Sequence, residues 1–390
     1  MLITLIAAGG GDLYYELGLC LGVTSNGVHV DYIGSDSVRN ANVWEKENVT
    51  FINLRGSQDP AAHMATKIFR ILIFYFRLIK YAWKTDSKLF HIQWPNKFVY
   101  FDRIFLNMYY KMLGKKLVFT AHNVNAGIRD GNDNSLNRFS LKVMYKIVDQ
   151  IIVHTNNMKD LLIQGFGVSE GKVAVIQYGI NDMVFESNLT RKEARGKLGL
   201  DEDEKIALFF GNIVPYKGLE YLLMALARQR NCNDSIRLII AGKQDRNYEK
   251  YFESIQEIIK SQDLKGHIIE KVGHIPDEDI EIYFKTADVL VLPYKYIFQS
   301  GVLFLAYNFG LPVIASDVGS LREFIDEGKT GFICKPENVS DLYEKIIKYF
   351  KSDLFKNLDK NREEIKNNAK EKYSWEKIGK ETVELYKRLV

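Results

Sequence analysis

Three positions in this chain have the residue types and setting to act on a charged ligand: Lys217, Ser300 with Gly301, and His122. Lys217 lies in Gly211-Asn212-Ile213-Val214-Pro215-Tyr216-Lys217-Gly218, between an apolar run at 205–210 and a helix with Leu219, Leu222, Leu223 and Leu226 on one face. An ammonium held in a strand-to-helix loop just ahead of a helix start can neutralise a diphosphate. The spacing is not that of a P-loop, so nucleotide hydrolysis is not indicated. Ser300 and Gly301 open a helix expected over 302–309, between short strands at 289–292 and 312–315. The first N–H groups of such a helix are unpaired and carry the positive end of its dipole, and Gly301 has no Cβ to obstruct a ligand. A phosphate fits there, though the same two residues also read as a plain cap and turn. His122 follows the strand expected at 116–120, at the carboxyl end where open α/β sheets take ligands. A lone histidine is more often structural than catalytic, and His91, in mid-strand, reads as core.

The elements that position these residues are those of parallel α/β sheets. A strand at 2–8 runs into Gly9-Gly10-Gly11, followed by a helix at 13–26 and a strand at 29–33. Further strands are expected at 89–93, 116–120, 148–154 and 172–176, then at 205–210, 236–241 and 268–272. The first turn lacks the dinucleotide fingerprint, because Tyr14 stands at its third glycine position; a nicotinamide cofactor is disfavoured. Gly10 and Gly11 are then either a tight turn or a place where backbone meets a diphosphate. The polar segment 123–137, rich in Asn, Asp and Gly, reads as a mobile loop over the strand ends.

A chain of 390 residues exceeds what one core organises, so two domains are expected, with a boundary near 182. A net charge of +4 is small for this length, and no nucleic-acid motif appears. Cys20, Cys232 and Cys334 lie far apart without metal-ligand spacing, which suggests a reducing compartment and no bound metal. The first eight residues lack a basic leader and read as a buried strand, pointing to a cytoplasmic protein. Residues 66–84 form a basic, aromatic-rich amphipathic helix. Lys67, Arg70, Arg77, Lys80 and Lys84 share one sector, with Ile68, Leu72, Tyr75, Ile79 and Trp83 opposite. Its uncharged run, 71–76, is far short of the roughly 20 residues that span a bilayer. It reads as peripheral attachment to an anionic membrane face, or as a sheet-covering helix with a solvated basic side.

The segment QSGVLFLAYNFGLPVIASDVGSLRE with the later TGFI, the stretch FFGNIVPYKGLEYLLMAL, and VFTAHNV together resemble the retaining GT-B glycosyltransferases of glycosyltransferase family 4. The resemblance implies two doubly wound Rossmann-like domains facing a cleft: 1–182 for the acceptor, 183–372 for a nucleotide-sugar donor, and 373–390 as a helix crossing back to the first domain. It implies that Lys217 neutralises the leaving nucleoside diphosphate, with Asn212 where an arginine often helps, and that Gly10, Gly11, Ser300, Gly301 and Val302 face the phosphates. His274 and Ile275 would meet the base, His122 the donor sugar, and Asn123 and Arg129 the acceptor. The chain departs from the pattern in one respect. Leu305 and Ile297 stand where two glutamates usually hold sugar and ribose hydroxyls, and neither can accept a hydrogen bond. Gln299 is the nearest polar substitute, and QSGV resembles a variant subgroup. The implied reaction moves a sugar from a nucleotide-diphosphate sugar to a hydroxyl of a glycan or lipid-linked acceptor in polysaccharide biosynthesis, with no metal or other cofactor. A nucleotide-sugar epimerase, a phosphorylase and a non-catalytic GT-B scaffold share the layout and stay open.

Overall fold

The computed structural model describes residues 1–7, 12–39, 44, 46–125, 127, 133–180, 182, 184, 186–229 and 236–390. The chain divides into two compact units, Met1–Gly179 with Tyr373–Val390, and Ile180–Lys372.

In the first unit seven parallel strands form one sheet: β1 Leu2–Ile6, β2 His29–Gly34, β3 Val49–Asn53, β4 Leu89–Ile92, β5 Lys116–Thr120, β6 Gln150–Val153 and β7 Val173–Val175. Their order is β3-β2-β1-β4-β5-β6-β7. The order reverses between β1 and β4, the switch point of a doubly wound sheet. The central strands are mostly apolar runs such as LITLI and LFHI, each broken by one buried polar residue, because helices cover both faces. Strand β3 was not evident in the sequence; it lies at the edge, is mostly half-exposed, and alternates Val, Thr, Phe and Ile too briefly to stand out.

Helix α1, Leu13–Ser25, starts where Asp12 accepts the Tyr15 amide at 3.2 Å. It packs on the closing helix Trp375–Lys387. The two backbones nearly touch: a Cβ on Gly22 would fall 2.0 Å from the Trp375 carbonyl, and one on Gly379 would fall 2.0 Å from Gly22. Only glycine permits that approach.

Helix α2, Met64–Lys84, corrects the face expected from periodicity. The side turned to the sheet carries Phe74, Tyr75, Leu78 and Ala82. Of the apolar stripe named above only Tyr75 is buried; Ile68, Leu72, Ile79 and Trp83 are exposed, together with Phe69 and Phe76. The helix therefore has three faces: one in the core, one basic, and one apolar and open. The loop expected over 123–137 is also shorter than predicted. Helix α3, Ser135–Ile147, begins inside it, capped by Asn134, and Asn137 is buried.

The second unit holds six parallel strands: β8 Lys205–Phe210, β9 Ile236–Gly242, β10 Ile268–Val272, β11 Val289–Leu292, β12 Val313–Ser316 and β13 Gly331–Cys334. Their order is β10-β9-β8-β11-β12-β13, again reversing at the first strand. Strand β13 is a four-residue piece that the sequence reading used only as part of a motif. Helix α4, Leu219–Ala227, follows β8, and helix α5, Gly301–Asn308, follows β11. A buried charge cluster pins β11 beside β8. Asp288, fully buried, meets Arg195 at 3.0 Å and Arg191, and accepts the Ile206 amide at 2.7 Å. Both units are thus Rossmann-like α/β layers. Among the described residues no helix is long and apolar enough to cross a membrane.

Candidate functional site

In the second unit the carboxyl ends of β8 and β11 bring the expected phosphate-facing residues together. The β8 strand ends at Phe210, and Gly211 then donates its amide to Ala241 at 2.9 Å. Gly211 adopts a left-handed φ of +105°. The chain returns through a short 3₁₀ turn, Pro215–Lys217, which folds the Lys217 side chain back over the strand end. Its Nζ lies 3.4 Å from the Phe210 carbonyl and 5.7 Å from the centre of the Tyr294 ring. Lys217 is only 7% exposed, and among the described residues no carboxylate pairs with it. Burial pushes its pKa down to about 8. An ammonium in that state gains from any anion brought to it.

The start of α5 shares this corner. A Cβ on Gly211 would fall 2.4 Å from Lys217 Nζ and 3.9 Å from a Val302 methyl. Ser300 is buried and takes the position that precedes the helix, yet its hydroxyl makes no cap to the helix amides. Among the described residues no side-chain cap bonds those amides. Just before it, both amide atoms of Gln299 are buried without a hydrogen-bond partner among the described residues. Leu305 and Ile297 are 5% and 7% exposed, part of the core. Asn212 and His274 are exposed and Ile275 is half-buried. His274 follows Gly273, whose amide donates to Gly242 at 2.9 Å, so it sits at the end of the edge strand, two strands from Lys217.

In the first unit His122 lies just past β5, 8% exposed, stacked on Trp94 with ring centres 4.4 Å apart and edge-on to Tyr15 at 4.6 Å. Both its nitrogens are engaged: Nδ1 is 3.1 Å from His154 Nε2, and Nε2 is 3.2 Å from the Gln93 amide oxygen. His154 Nδ1 faces the Ile176 carbonyl at 3.0 Å and must donate to it, so its Nε2 accepts from His122 Nδ1. Burial holds His154 down to about 4 and His91 to about 3, and holds His122 well below the ordinary range. With its proton on Nδ1, a neutral His122 needs the nitrogen end of the Gln93 amide at Nε2. With the amide oxygen there, the ring is an imidazolium. Gln93 orientation and His122 charge are therefore linked. Gln93 also reaches His91 at 3.0 Å, which bonds Thr120 at 2.7 Å.

Sequence reasoning named Lys217 and His122 but missed Tyr294, Gln93, Trp94 and His154. The signal was available for the last three, since β4 and β6 end in Gln93-Trp94 and His154 as β5 ends at His122. Asn123 is half-buried beside His122. Gly10, Gly11 and Arg129 lie outside the described residues. Among the described residues no three His, Cys, Asp or Glu side chains gather as a metal site.

Comparison with known proteins divides the chain as the two units do. Residues 15–183 match the family model "Glycosyltransferase Family 4", and residues 190–372 match "Glycosyl transferases group 1". An uncharacterized glycosyltransferase of Methanocaldococcus jannaschii is 32% identical over 246 residues, which is 61% of this chain and 60% of that protein. The chain spans about half the length of the further curated relatives it matches. Among solved structures, sucrose-phosphate synthase from Thermosynechococcus elongatus superposes with a TM-score of 0.77 at 22% identity, covering 100% of this chain and 98% of that one. HepE of Anabaena in complex with UDP gives 0.75 at 15% identity, covering 100% of both chains.

Proposed function

The chain belongs to the GT-B glycosyltransferases of family 4, and on that premise we propose that it moves a sugar from a nucleotide-diphosphate sugar to a hydroxyl of a glycan or lipid-linked acceptor, with retention at the anomeric carbon. The observation that carries this is Lys217, a buried ammonium without a carboxylate partner among the described residues, set over the end of β8 beside the first turn of α5. Such a corner is a preorganised site for the charge that develops on a departing diphosphate. In the reaction the bond from the anomeric carbon to the phosphate oxygen breaks, the acceptor oxygen bonds that carbon on the same face, and the acceptor proton passes to the leaving phosphate oxygen. No protein nucleophile is required. The donor nucleotide is assigned to the second unit and the acceptor to the first. Gln299 supplies the amide that bonds a donor hydroxyl where Leu305 and Ile297 cannot. Asn212 and His274, both exposed, are assigned to phosphate and base. His122, its ring held by His154 and Gln93, is assigned to the donor sugar.

The open apolar face of α2 beside its basic face supports a peripheral position on the inner face of a membrane, where a lipid-linked polysaccharide precursor would be met. The match of each half to a glycosyltransferase family favours transfer over the epimerase, phosphorylase and scaffold readings. The test is a panel of UDP-, GDP- and ADP-sugars offered with glycan and polyprenyl-phosphate acceptors, the product linkage being read by NMR. Transfer with the donor's anomeric configuration supports the reading. Turnover of a donor without transfer, or an inverted product, sinks it.

A further inference from the structure

The carboxyl side of β3 and the first turns of α2 enclose a cavity of about 340 Å³ in the first unit. That volume is in the range of small-ligand sites, roughly 300–1,000 Å³. Its lining is cationic: Arg55, Lys67, Arg70 and Lys97 meet one carboxylate, Asp59. Among the described residues none of the four cations is in an ion pair. Lys67 spends its contact on the Pro60 carbonyl at 2.7 Å.

Two of these groups are costly as they stand. Arg55 is 8% exposed, with its guanidinium 4.8 Å from the centre of the Phe74 ring. Among the described residues Arg55 and Arg70 each keep a buried Nη1 with no acceptor. Buried guanidinium donors normally find one. The buried Asp102 carboxylate acts on Arg55 electrostatically, yet among the described residues the two form no ion pair or hydrogen bond, and surface lysines scattered for solubility do not explain a guanidinium drawn into the fold in that state. The ligand that suits a cavity lined by two guanidiniums and two ammoniums is a compact, multiply charged oxyanion, since the planar fork matches two oxygens on one phosphorus.

We propose that this cavity is a phosphate-binding subsite in the unit that receives the acceptor, and that it holds an acceptor phosphate away from the reacting hydroxyl. The proposal deepens the transferase reading and rests on it only for the word acceptor. The phosphate has two sources. Ile71 of α2 lines the cavity, and Met64, Ile68 and Leu72 of the same helix are exposed, so a lipid phosphate would have its chain beside an apolar surface. A soluble sugar phosphate would use the cations alone.

The experiment titrates glycerol 3-phosphate into the full chain by calorimetry at fixed ionic strength, in a Lys217→Ala background so that the second unit's own phosphate corner contributes nothing. Arg55→Gln is the most direct variant. Lys67→Gln with Arg70→Gln, both half-exposed, is the variant that spares the fold. Saturable binding that weakens about tenfold or more in the double variant supports the subsite. A second arm measures retention on phosphatidylcholine vesicles containing phosphatidic acid. Release of the vesicles by glycerol 3-phosphate identifies a lipid source; binding of the soluble ester without such release identifies a free phosphate ester. Both outcomes support the site. No saturable binding in the background chain, or binding that the double variant leaves unchanged, overturns it. No sugar donor is present, so this result stands or falls separately from transfer.

Discussion

The Lys217 ammonium occupies the space that a side chain on Gly211 would fill: a Cβ there would lie 2.4 Å from Nζ. Gly211 also holds φ at +105°, which other residues adopt only with strain. Gly211→Ala should therefore cost about 1–3 kcal/mol of stability and displace the amine. Nucleotide titration should show weakening comparable to loss of Lys217 itself. A variant that unfolds earlier but binds nucleotide normally would separate the two residues.

Among the described residues the buried amide atoms of Gln299 have no partners, a cost of about 1–3 kcal/mol when no ligand supplies them. Gln299→Met should raise the unfolding midpoint and lower transfer, mostly through kcat, if the amide bonds a sugar hydroxyl in the transition state. An unchanged kcat would remove Gln299 from the site.

Acid should weaken the first unit through its histidines. In the fold His154 titrates near 4 and His91 near 3, against about 6.5 when unfolded. Below pH 6.5 the unfolded chain binds more protons, so stability is present above that pH and is lost as pH falls toward 4. Midpoints measured from pH 8 to pH 4 should drop, and His154→Gln should flatten the drop. Because burial keeps His91 and His154 neutral at pH 7, transfer should show no inflection from either between pH 6.5 and 7.5.

The apolar face of α2 should hold the chain on anionic vesicles. Phe76 and Trp83 are 68% and 73% exposed, so Phe76→Glu with Trp83→Glu should leave folding intact and abolish sedimentation with the vesicles. Retention of the wild type should fall with salt, since Arg77, Lys80 and Lys84 act within a Debye length of about 8–10 Å. Vesicle binding unchanged by the double substitution would return α2 to the role of a sheet cover with an idle surface.

The sequence displays the two sheets well and the site unevenly. Parallel strands buried on both faces are apolar runs, so β1, β4, β8 and β11 are visible from composition alone. Strands β3 and β13 are not, because half-exposed VTFIN mixes polar and apolar residues and GFIC opens on a glycine, so neither shows the apolar run that separates strand from loop. The periodicity of α2 correctly shows two unlike faces, yet cannot say which one a sheet will cover; the core took a third face instead. Lys217 and His122 are legible because strand ends in such sheets face ligands. The contact of His122 with His154 is not, since 32 residues separate them and only the pairing of β5 with β6 makes them neighbours.

The most direct measurement is calorimetric titration of UDP, GDP and ADP into the wild type and Lys217→Ala, from pH 6.5 to pH 9.5. The account predicts one preferred nucleotide, bound at least about tenfold more weakly by the variant. Wild-type affinity should decline as pH rises above 8, where the buried amine loses its proton, and the variant should lack that decline. Equal affinity of both proteins for every nucleotide, with no pH dependence between them, would contradict the assignment of Lys217 to the diphosphate.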